Sequence, residues 1–417
     1  MLEEILNIVL LVLQIAFWIV GIYYTGTSLF GLVEKLRKRS DKFYMPEKKF
    51  AIFIPAHNEE VVISHIVENL KHVNYPQELF DVYVVADNCN DNTALAAKSA
   101  GAKVLERFDS QDRGKGHALK WAFQSVLFNK KQASHYDAAV IFDADNLVSK
   151  DFLLEMNNKL CAGFKVVQGY IDSKNPNDSW ITMGYSISFW NVNRLFQSAR
   201  SFLGLSNEIG GTGFCMDVQV LKDMGWEATS LAEDLEFTAK LVLNGIKVGW
   251  APKAVIYDEK PLTLAQSWKQ RRRWMQGFAD VCARYFFKLL GKGIKEGSLT
   301  AIDCAIYTLQ PYVLILSGIM LVIPIMNKLF FDTELFMINT QISPMFFIVL
   351  GILQLLLLPI SLLVDKKLTL KALLYYPAYA LFCLTWIPIA IEGVLRMKNK
   401  EWSHTVHTRR LSIQEIE

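Results

Sequence analysis

The chain has 417 residues, 52% of them hydrophobic and 20% charged, with a net charge of +3. It is longer than one ordinary domain and too apolar to be disordered or wholly soluble. A near-balanced charge gives no reason to expect a nucleic-acid partner. The six cysteines (Cys89, Cys161, Cys215, Cys282, Cys304 and Cys383), without a Cys-x-x-Cys pair, read as free thiols in a reducing compartment.

The first predicted element is an uncharged run from Ile5 to Tyr24, which at 1.5 Å per residue matches a hydrocarbon core of about 30 Å. Glu3 and Glu4 precede it and no small-residue cleavage site follows, which argues against a cleaved signal peptide. Lys35, Arg37, Lys38, Arg39, Lys42, Lys48 and Lys49 come next, so the positive-inside tendency puts the N-terminus outside and the centre of the chain in the cytoplasm. This predicts a membrane helix over 1–30 and a basic linker over 31–47.

From about Lys48 to Gly277 short apolar runs alternate with longer amphipathic ones. Ala51 to Pro55, Val82 to Ala86, Lys103 to Glu106, Ala138 to Phe142 and Val166 to Tyr170 are predicted strands. Val61 to Leu70, Thr93 to Ala100, His117 to Phe128 and Phe152 to Leu160 are predicted helices. Such alternation predicts an α/β domain over 48–277, a mostly parallel sheet with helices on both faces, which binds its ligand at the carboxyl ends of the strands.

Polar clusters sit at three of those ends. They are Pro55 to Glu60, Asp87 to Thr93, and Asp143-Ala144-Asp145-Asn146. Carboxylates gathered in one crevice repel one another, and a hard cation such as Mg2+ or Mn2+ relieves this. Alone, an Asp-x-Asp spacing is equally an ordinary turn after a strand, so its position carries the weight. Asp91 or Thr93 reads as a helix cap and Asp87 as a ligand contact. Lys115, between two glycines, could reach a phosphate or be a solvated turn. Glu233-Asp234 could supply a general base or complement the positive end of a helix dipole. In Gln270-Arg271-Arg272-Arg273-Trp274, residues 270, 273 and 274 share a helix face that can grip a diphosphate and stack on a sugar ring. The bland alternative is charge facing a membrane surface.

Phe278 to Leu290 mixes charged and aromatic residues and predicts an interfacial region over 278–300, with a surface helix of the soluble domain as the other reading. Three apolar stretches follow within 301–395, from Tyr307 to Ile325, Met345 to Val364 and Leu373 to Leu395, each interrupted by proline. Three crossings would leave the tail at 396–417 outside, whereas Arg396, Lys398, Lys400, Arg409 and Arg410 argue for inside. Either one stretch does not cross or the tail departs from the tendency.

Taken in order, these motifs resemble the membrane-bound family 2 glycosyltransferases, which include cellulose, chitin and hyaluronan synthases. The resemblance is strong over Lys48 to Gly277 and rests on the Asp-x-Asp, Glu-Asp and Gln-x-x-Arg-Trp motifs together. It implies a GT-A fold and a hexosyltransferase that moves sugar from a nucleotide donor, usually a UDP-sugar, with inversion. By the resemblance, Pro55, Glu59, Asp87, Lys115, Asp143 and Arg273 hold the nucleotide sugar, and Asp143 and Asp145 hold Mg2+ or Mn2+. It makes Asp234 the catalytic base and places Gly213, Phe214, Cys215, Gln270 and Trp274 with the acceptor. Ala86 replaces the first acid of the usual Asp-Asp pair.

The expectation is a multi-pass protein of the cell membrane with a cytoplasmic transferase domain, which extends a polysaccharide and is coupled to export. The alternatives are a transferase adding one sugar to a membrane lipid, and a catalytically silent nucleotide-sensing or scaffold subunit of a secretion complex. The expected partners are a nucleotide sugar, a polysaccharide or lipid acceptor and the bilayer, with self-association left open and nucleic acid excluded.

Overall fold

Phe50-Ala51-Ile52-Phe53-Ile54 is apolar at every position, as a strand covered on both faces must be, and all five side chains are fully buried. In the computed structural model, which describes residues 2–35, 42–128, 136–228, 230–326, 329, 344–399, 409, 411 and 413–415, this segment lies inside an eight-stranded sheet. Helix α1 (Leu2–Glu34) precedes it. The domain then runs β1 (Phe50–Ala56), α2 (Ile63–Leu70), β2 (Phe80–Asp87), α3 (Thr93–Ser99), β3 (Lys103–Arg107), α4 (Lys115–Val126), β4 (Ala138–Ile141), β5 (Leu147–Val148), α5 (Phe152–Cys161) and β6 (Val166–Ser173). It continues through α6 (Trp180–Asn191), a π-helix (Val192–Ser198), α7 (Ala199–Leu203), β7 (Phe214–Asp217), α8 (Val218–Met224), α9 (Glu233–Leu243) and β8 (Val248–Asp258).

The strand order is β3-β2-β1-β4-β7-β6-β8-β5. Pairs β1–β2, β1–β4, β2–β3 and β6–β8 are parallel, whereas β7 runs antiparallel to β4 and β6, and β5 antiparallel to β8. The carboxyl ends of β1, β2, β4, β6 and β8 therefore share one edge. Because β7 is reversed, the loop that enters it also lies there. Ile66 of α2, Ala97 of α3 and Phe152 of α5 pack on one face of the sheet, and Leu119 of α4, Val220 of α8 and Phe237 of α9 on the other. Each large apolar side chain so buried stabilises the fold by about 1.5–3 kcal/mol.

Helix α10 (Leu264–Glu296) leaves the domain, opened by a Thr263–Gln266 capping box and closed by Gly297 in the left-handed region. The predicted stretch Phe278–Leu290 lies within it, and the predicted region 278–300 runs on past its end. After it come α11 (Leu299–Thr308), α12 (Gln310–Met326), α13 (Pro344–Val364), α14 (Leu370–Leu384) and α15 (Trp386–Leu395). The α11–α12 pair bends by 58°, and Pro388, whose ring clashes with the carbonyl four residues back, accounts for the break between α14 and α15. Among the described residues, Ile8–Glu34 and Leu370–Leu395 are long and apolar enough to cross a membrane, α11–α12 joins them if the bent pair is one span, and the Val349–Val364 part of α13 is shorter.

Helix α1 is fastened to the domain. A Cβ on Gly31 would lie 2.1 Å from the carbonyl oxygen of Arg194, so only glycine allows α1 to touch the π-helix. The Tyr23 hydroxyl donates to Asp303 at 2.5 Å, and Arg200 donates to both oxygens of the same carboxylate at 2.8 and 2.9 Å. All six cysteines are free thiols.

Candidate active site

The edge described above opens into a cavity of about 1200 Å³. Pro55, Glu59, Asp87, Lys115, Asp143, Asp145, Asp234, Gln270, Arg273 and Trp274, ten of the predicted site residues, line it. The backbone N–H of Asp143 donates to Thr212 Oγ1 at 3.0 Å and to Asn146 Oδ1 at 3.1 Å, which fixes the turn after β4 against the loop entering β7. Asp145 is buried and accepts from the backbone N–H of Glu259 at 2.9 Å. Lys115 Nζ bonds Asp143 Oδ1 at 2.5 Å and the Gly211 carbonyl at 2.6 Å, with Glu233 at 4.0 Å. Burial opposes its charge, but Asp143 and then Glu233 outweigh that and hold the ammonium above its ordinary range.

The end of the cavity at β1 and β2 is a buried polar network. Asp87 pairs with Arg107 at 2.6 Å, yet burial outweighs the arginine and holds the carboxyl above its usual range. Asp91 accepts from the backbone and hydroxyl of Thr93 at 3.0 and 2.6 Å, and Thr93 Oγ1 accepts from the Glu59 N–H at 2.8 Å. Asn92 holds the N-cap position of α3 and makes no side-chain cap bond. Of the two expected caps, Asp91 or Thr93, Asp91 bonds the first N–H of α3 from just before the N-cap, and it also accepts from the Glu60 N–H at 3.1 Å, which ties the loop after β1 to the start of α3.

Asp234 opens helix α9. Burial and then the adjacent Glu233 push its carboxyl up to about 7, against the N–H of Leu235 and the charge of Lys115. A side chain on Gly211 would meet its Oδ2 at 3.1 Å, so the bare backbone of that loop keeps the carboxylate open. Across the cavity, Gln270 accepts from the Tyr185 hydroxyl at 2.9 Å, and Trp274 is flanked by Tyr185, Phe189 and Trp386 with ring centroids 6.1, 6.5 and 6.4 Å away. Among the described residues no carboxylate pairs with Arg273, which leaves its charge for an anion.

Residues 46–277 match the glycosyltransferase-like family 2. The chain belongs to that family. Two curated glycosyltransferase relatives are a beta-monoglucosyldiacylglycerol synthase of Trichormus variabilis, 28% identical over 63% of this chain and 56% of that one, and a poly-beta-1,6-N-acetyl-D-glucosamine synthase of Staphylococcus aureus, 27% identical over 66% and 65%. The chain thus spans less than two thirds of the length of either. The solved structure of mannosyltransferase PcManGT from Pyrobaculum calidifontis, in complex with GDP-Man and Mn2+, superposes with a TM-score of 0.59 and 17% identity over 94% of this chain and 99% of that one. At that identity the likeness is one of fold, and it extends through the membrane-side helices.

Within the family 2 site, three predicted residues are misplaced. Gly213, Phe214 and Cys215 do not line the cavity: Phe214 and Cys215 are 1% and 0% exposed inside β7, where Phe214 stacks on Trp226, and the Gly213 N–H bonds the Ile141 carbonyl at 2.8 Å. The neighbouring loop Gly210-Gly211-Thr212 reaches the cavity instead, because the reversed β7 begins at the active edge.

Residues the sequence did not single out complete the wall. Asp258 and Glu259, ending β8, lie beside Asp145. Burial pushes Asp258 up to about 6, with Lys260 pulling it down and Asp145 and Asp143 adding repulsion. Glu208 lines the cavity too, with Tyr307, Gln310 and Trp386 from the C-terminal helices and Lys398 from just beyond them. Among the described residues no three His, Cys, Asp or Glu side chains converge as a metal cage. Two neighbouring carboxylates with further negative charge beside them still fit a hard divalent cation, which takes one or two protein carboxylates and completes its shell with phosphate and water.

Proposed function

We propose that the protein is a membrane-bound inverting glycosyltransferase that moves a sugar from a nucleotide donor, a UDP-sugar in the simplest reading, to a growing polysaccharide at the membrane. Residues 48–277 would be the transfer unit and the flanking helices its anchor. The observation that carries this is the meeting of Asp234, its carboxyl raised to about 7, with Asp143, Asp145, Lys115, Arg273 and Trp274 on one cavity.

The chemistry follows from charge. Breaking the bond between sugar and diphosphate leaves an anionic product, and Lys115 and Arg273 offer cationic partners for it. A divalent cation held by Asp143 and Asp145 would supply further neutralising charge when bound. The acceptor hydroxyl has a pKa far above 7 and loses its proton as it attacks the anomeric carbon. Asp234, poised near neutrality, takes that proton. Attack from the face opposite the diphosphate inverts the centre, and Trp274, held by three aromatic neighbours, offers a flat face to orient the acceptor ring.

The wall formed by Phe278, Tyr307 and Trp386 supports a second reading, a single addition to a membrane lipid. Purified protein in lipid, given a panel of UDP- and GDP-sugars with Mg2+ or Mn2+, tests both. Release of nucleoside diphosphate from one donor with a saccharide ladder supports the polymerase, and a single glycolipid the alternative. No turnover of any donor would sink the transferase reading.

A further inference from the structure

The segment Leu370–Leu395 is 26 residues long and meets the length and composition requirements for a membrane crossing. A straight helix of that size is about 39 Å long, so in a crossing one end would stand on the far side of a core of about 30 Å. Its contacts are incompatible with that. Just before it, Lys367 bonds Asp172 at 2.7 Å, and Asp365 accepts from Arg194 Nε at 2.9 Å, both partners belonging to the family 2 domain. Along α14, Tyr379 and Phe382 pack into one cluster with Ile181, Tyr185 and Ile187 of α6. At the break, Arg271 of α10 donates to Thr385 Oγ1 at 2.9 Å. Near the far end, Glu392 accepts from Trp268 at 2.8 Å and from Arg272 at 2.9 Å, a Cβ on Gly393 would meet Met275 Cβ at 2.5 Å, and Gln276 bonds the carbonyl of Arg396 at 3.1 Å.

The segment thus rests on the family 2 domain and α10 along its length, its start on β6 and the π-helix, α14 on α6 and α15 on α10. The other face is apolar and uncovered: Leu370, Leu374, Leu381, Leu384, Ile391 and Leu395 are between 42 and 80% exposed, at spacings that keep them on one side. A helix with protein along one face and an uncovered apolar stripe along the other suits the plane of a membrane interface. The basic residues agree. Lys366 and Lys367 precede the segment, Lys371 is its second residue, and Arg396 and Lys398 follow it, whereas residues 327–343, between α12 and α13, carry one lysine, Lys328, and two acids, Asp332 and Glu334. The tail supplies an independent observation. Arg409 pairs with Asp178 at 2.6 Å, and its backbone N–H donates to Glu259 at 3.1 Å, both on the family 2 domain.

We propose that α14–α15 lies in the headgroup–acyl boundary of the leaflet that faces the family 2 domain, with its leucine stripe in lipid. The crossings are then α1, the bent α11–α12 pair and α13, and the tail lies on the same side as the domain. This removes the conflict between three C-terminal crossings and a basic tail. It also puts Trp386 and Lys398, which line the cavity, at the level of that leaflet.

The full-length protein in sealed vesicles of both orientations tests this. Ser99→Cys on α3 and Gln414→Cys in the tail, introduced separately, are treated with a membrane-impermeant maleimide and the labelled peptides identified by mass spectrometry. Labelling of both in the same vesicle orientation is expected, and opposite sidedness overturns the topology. A second measurement addresses the segment itself. With Cys89, Cys161 and Cys383 replaced by alanine, nitroxides at positions 374, 384 and 395 are ranked for depth by their accessibility to oxygen against a nickel chelate. Similar shallow depths are expected at all three. A progression from one headgroup region through the bilayer centre to the other overturns the in-plane placement even if the tail is on the domain side.

Discussion

The two halves of the cavity are built in different ways. The half where the proposed reading seats the donor takes its side chains from short segments at the ends of adjacent strands, so Pro55, Asp87, Asp143 and Asp145 come together once the sheet forms. The half on the side of the C-terminal helices takes Gln270 and Trp274 from α10, Tyr307 from the end of α11, Trp386 from the start of α15 and Lys398 from beyond it. Nothing local unites these; packing of α6, α10 and α15 does. On the proposed reading, the difference teaches that donor chemistry is set by sheet topology, whereas the acceptor surface depends on how the C-terminal helices dock.

Asp234 stands where the halves meet, so removing its charge is the most severe way to separate them. Asp234→Asn should lower transfer by about 10²–10⁴-fold. Binding of nucleoside diphosphate, measured by calorimetry, should change little, because the donor half is intact. Activity within a few-fold of the parent would remove Asp234 as the base. Next in size is a break on the membrane side. Arg200→Leu leaves Asp303, which is 3% exposed, without its bidentate partner and should destabilise the protein by about 3–5 kcal/mol, read as a lower unfolding temperature in detergent. Adding Asp303→Leu should recover much of the loss; no recovery would mean that the pair acts through packing alone.

How far the sequence was legible follows the same division. The strands carrying β1 to β4 and β6 are short apolar runs with acids at their carboxyl ends, and strand period and turn chemistry suffice to find them. β7, Phe214-Cys215-Met216-Asp217, is too short for a strand period to show, and its reversed direction puts the loop Gly210-Gly211-Thr212, not Gly213-Phe214-Cys215, on the cavity. β8 carries Pro252 and Lys253 in its middle, which masks the alternation. Asp258 and Glu259 therefore escaped notice although they abut Asp145. Trp386 and Lys398 had no motif at all, and the apolar content of Leu370–Leu395 cannot by itself distinguish a crossing helix from one lying on a domain.

The pH profile sharpens the comparison because it reads a group on the shared wall. As the proposed base, Asp234 works only when ionised. With its carboxyl pushed up to about 7, kcat/KM should rise about tenfold per pH unit below 7 and level off above it. Glu233 is one of the causes of that elevation, so Glu233→Gln should move the rising limb to lower pH. A limb that stays in place would mean that burial alone sets the value.

The smallest expected effect tests whether the halves are energetically separate. Trp386 stacks on Trp274 with centroids 6.4 Å apart, and its ring also lies 4.9 Å from the Arg271 guanidinium. Trp386→Ala removes one of the three rings that hold Trp274 and touches nothing in the donor network. An aromatic contact of this kind is worth about 0.5–1.5 kcal/mol beyond its buried area. The acceptor KM should therefore rise about 2- to 10-fold while the donor KM and metal dependence stay as they are. An equal rise in both would show that the membrane-side helices also shape the donor pocket, through α10 and the start of α9 against which it packs.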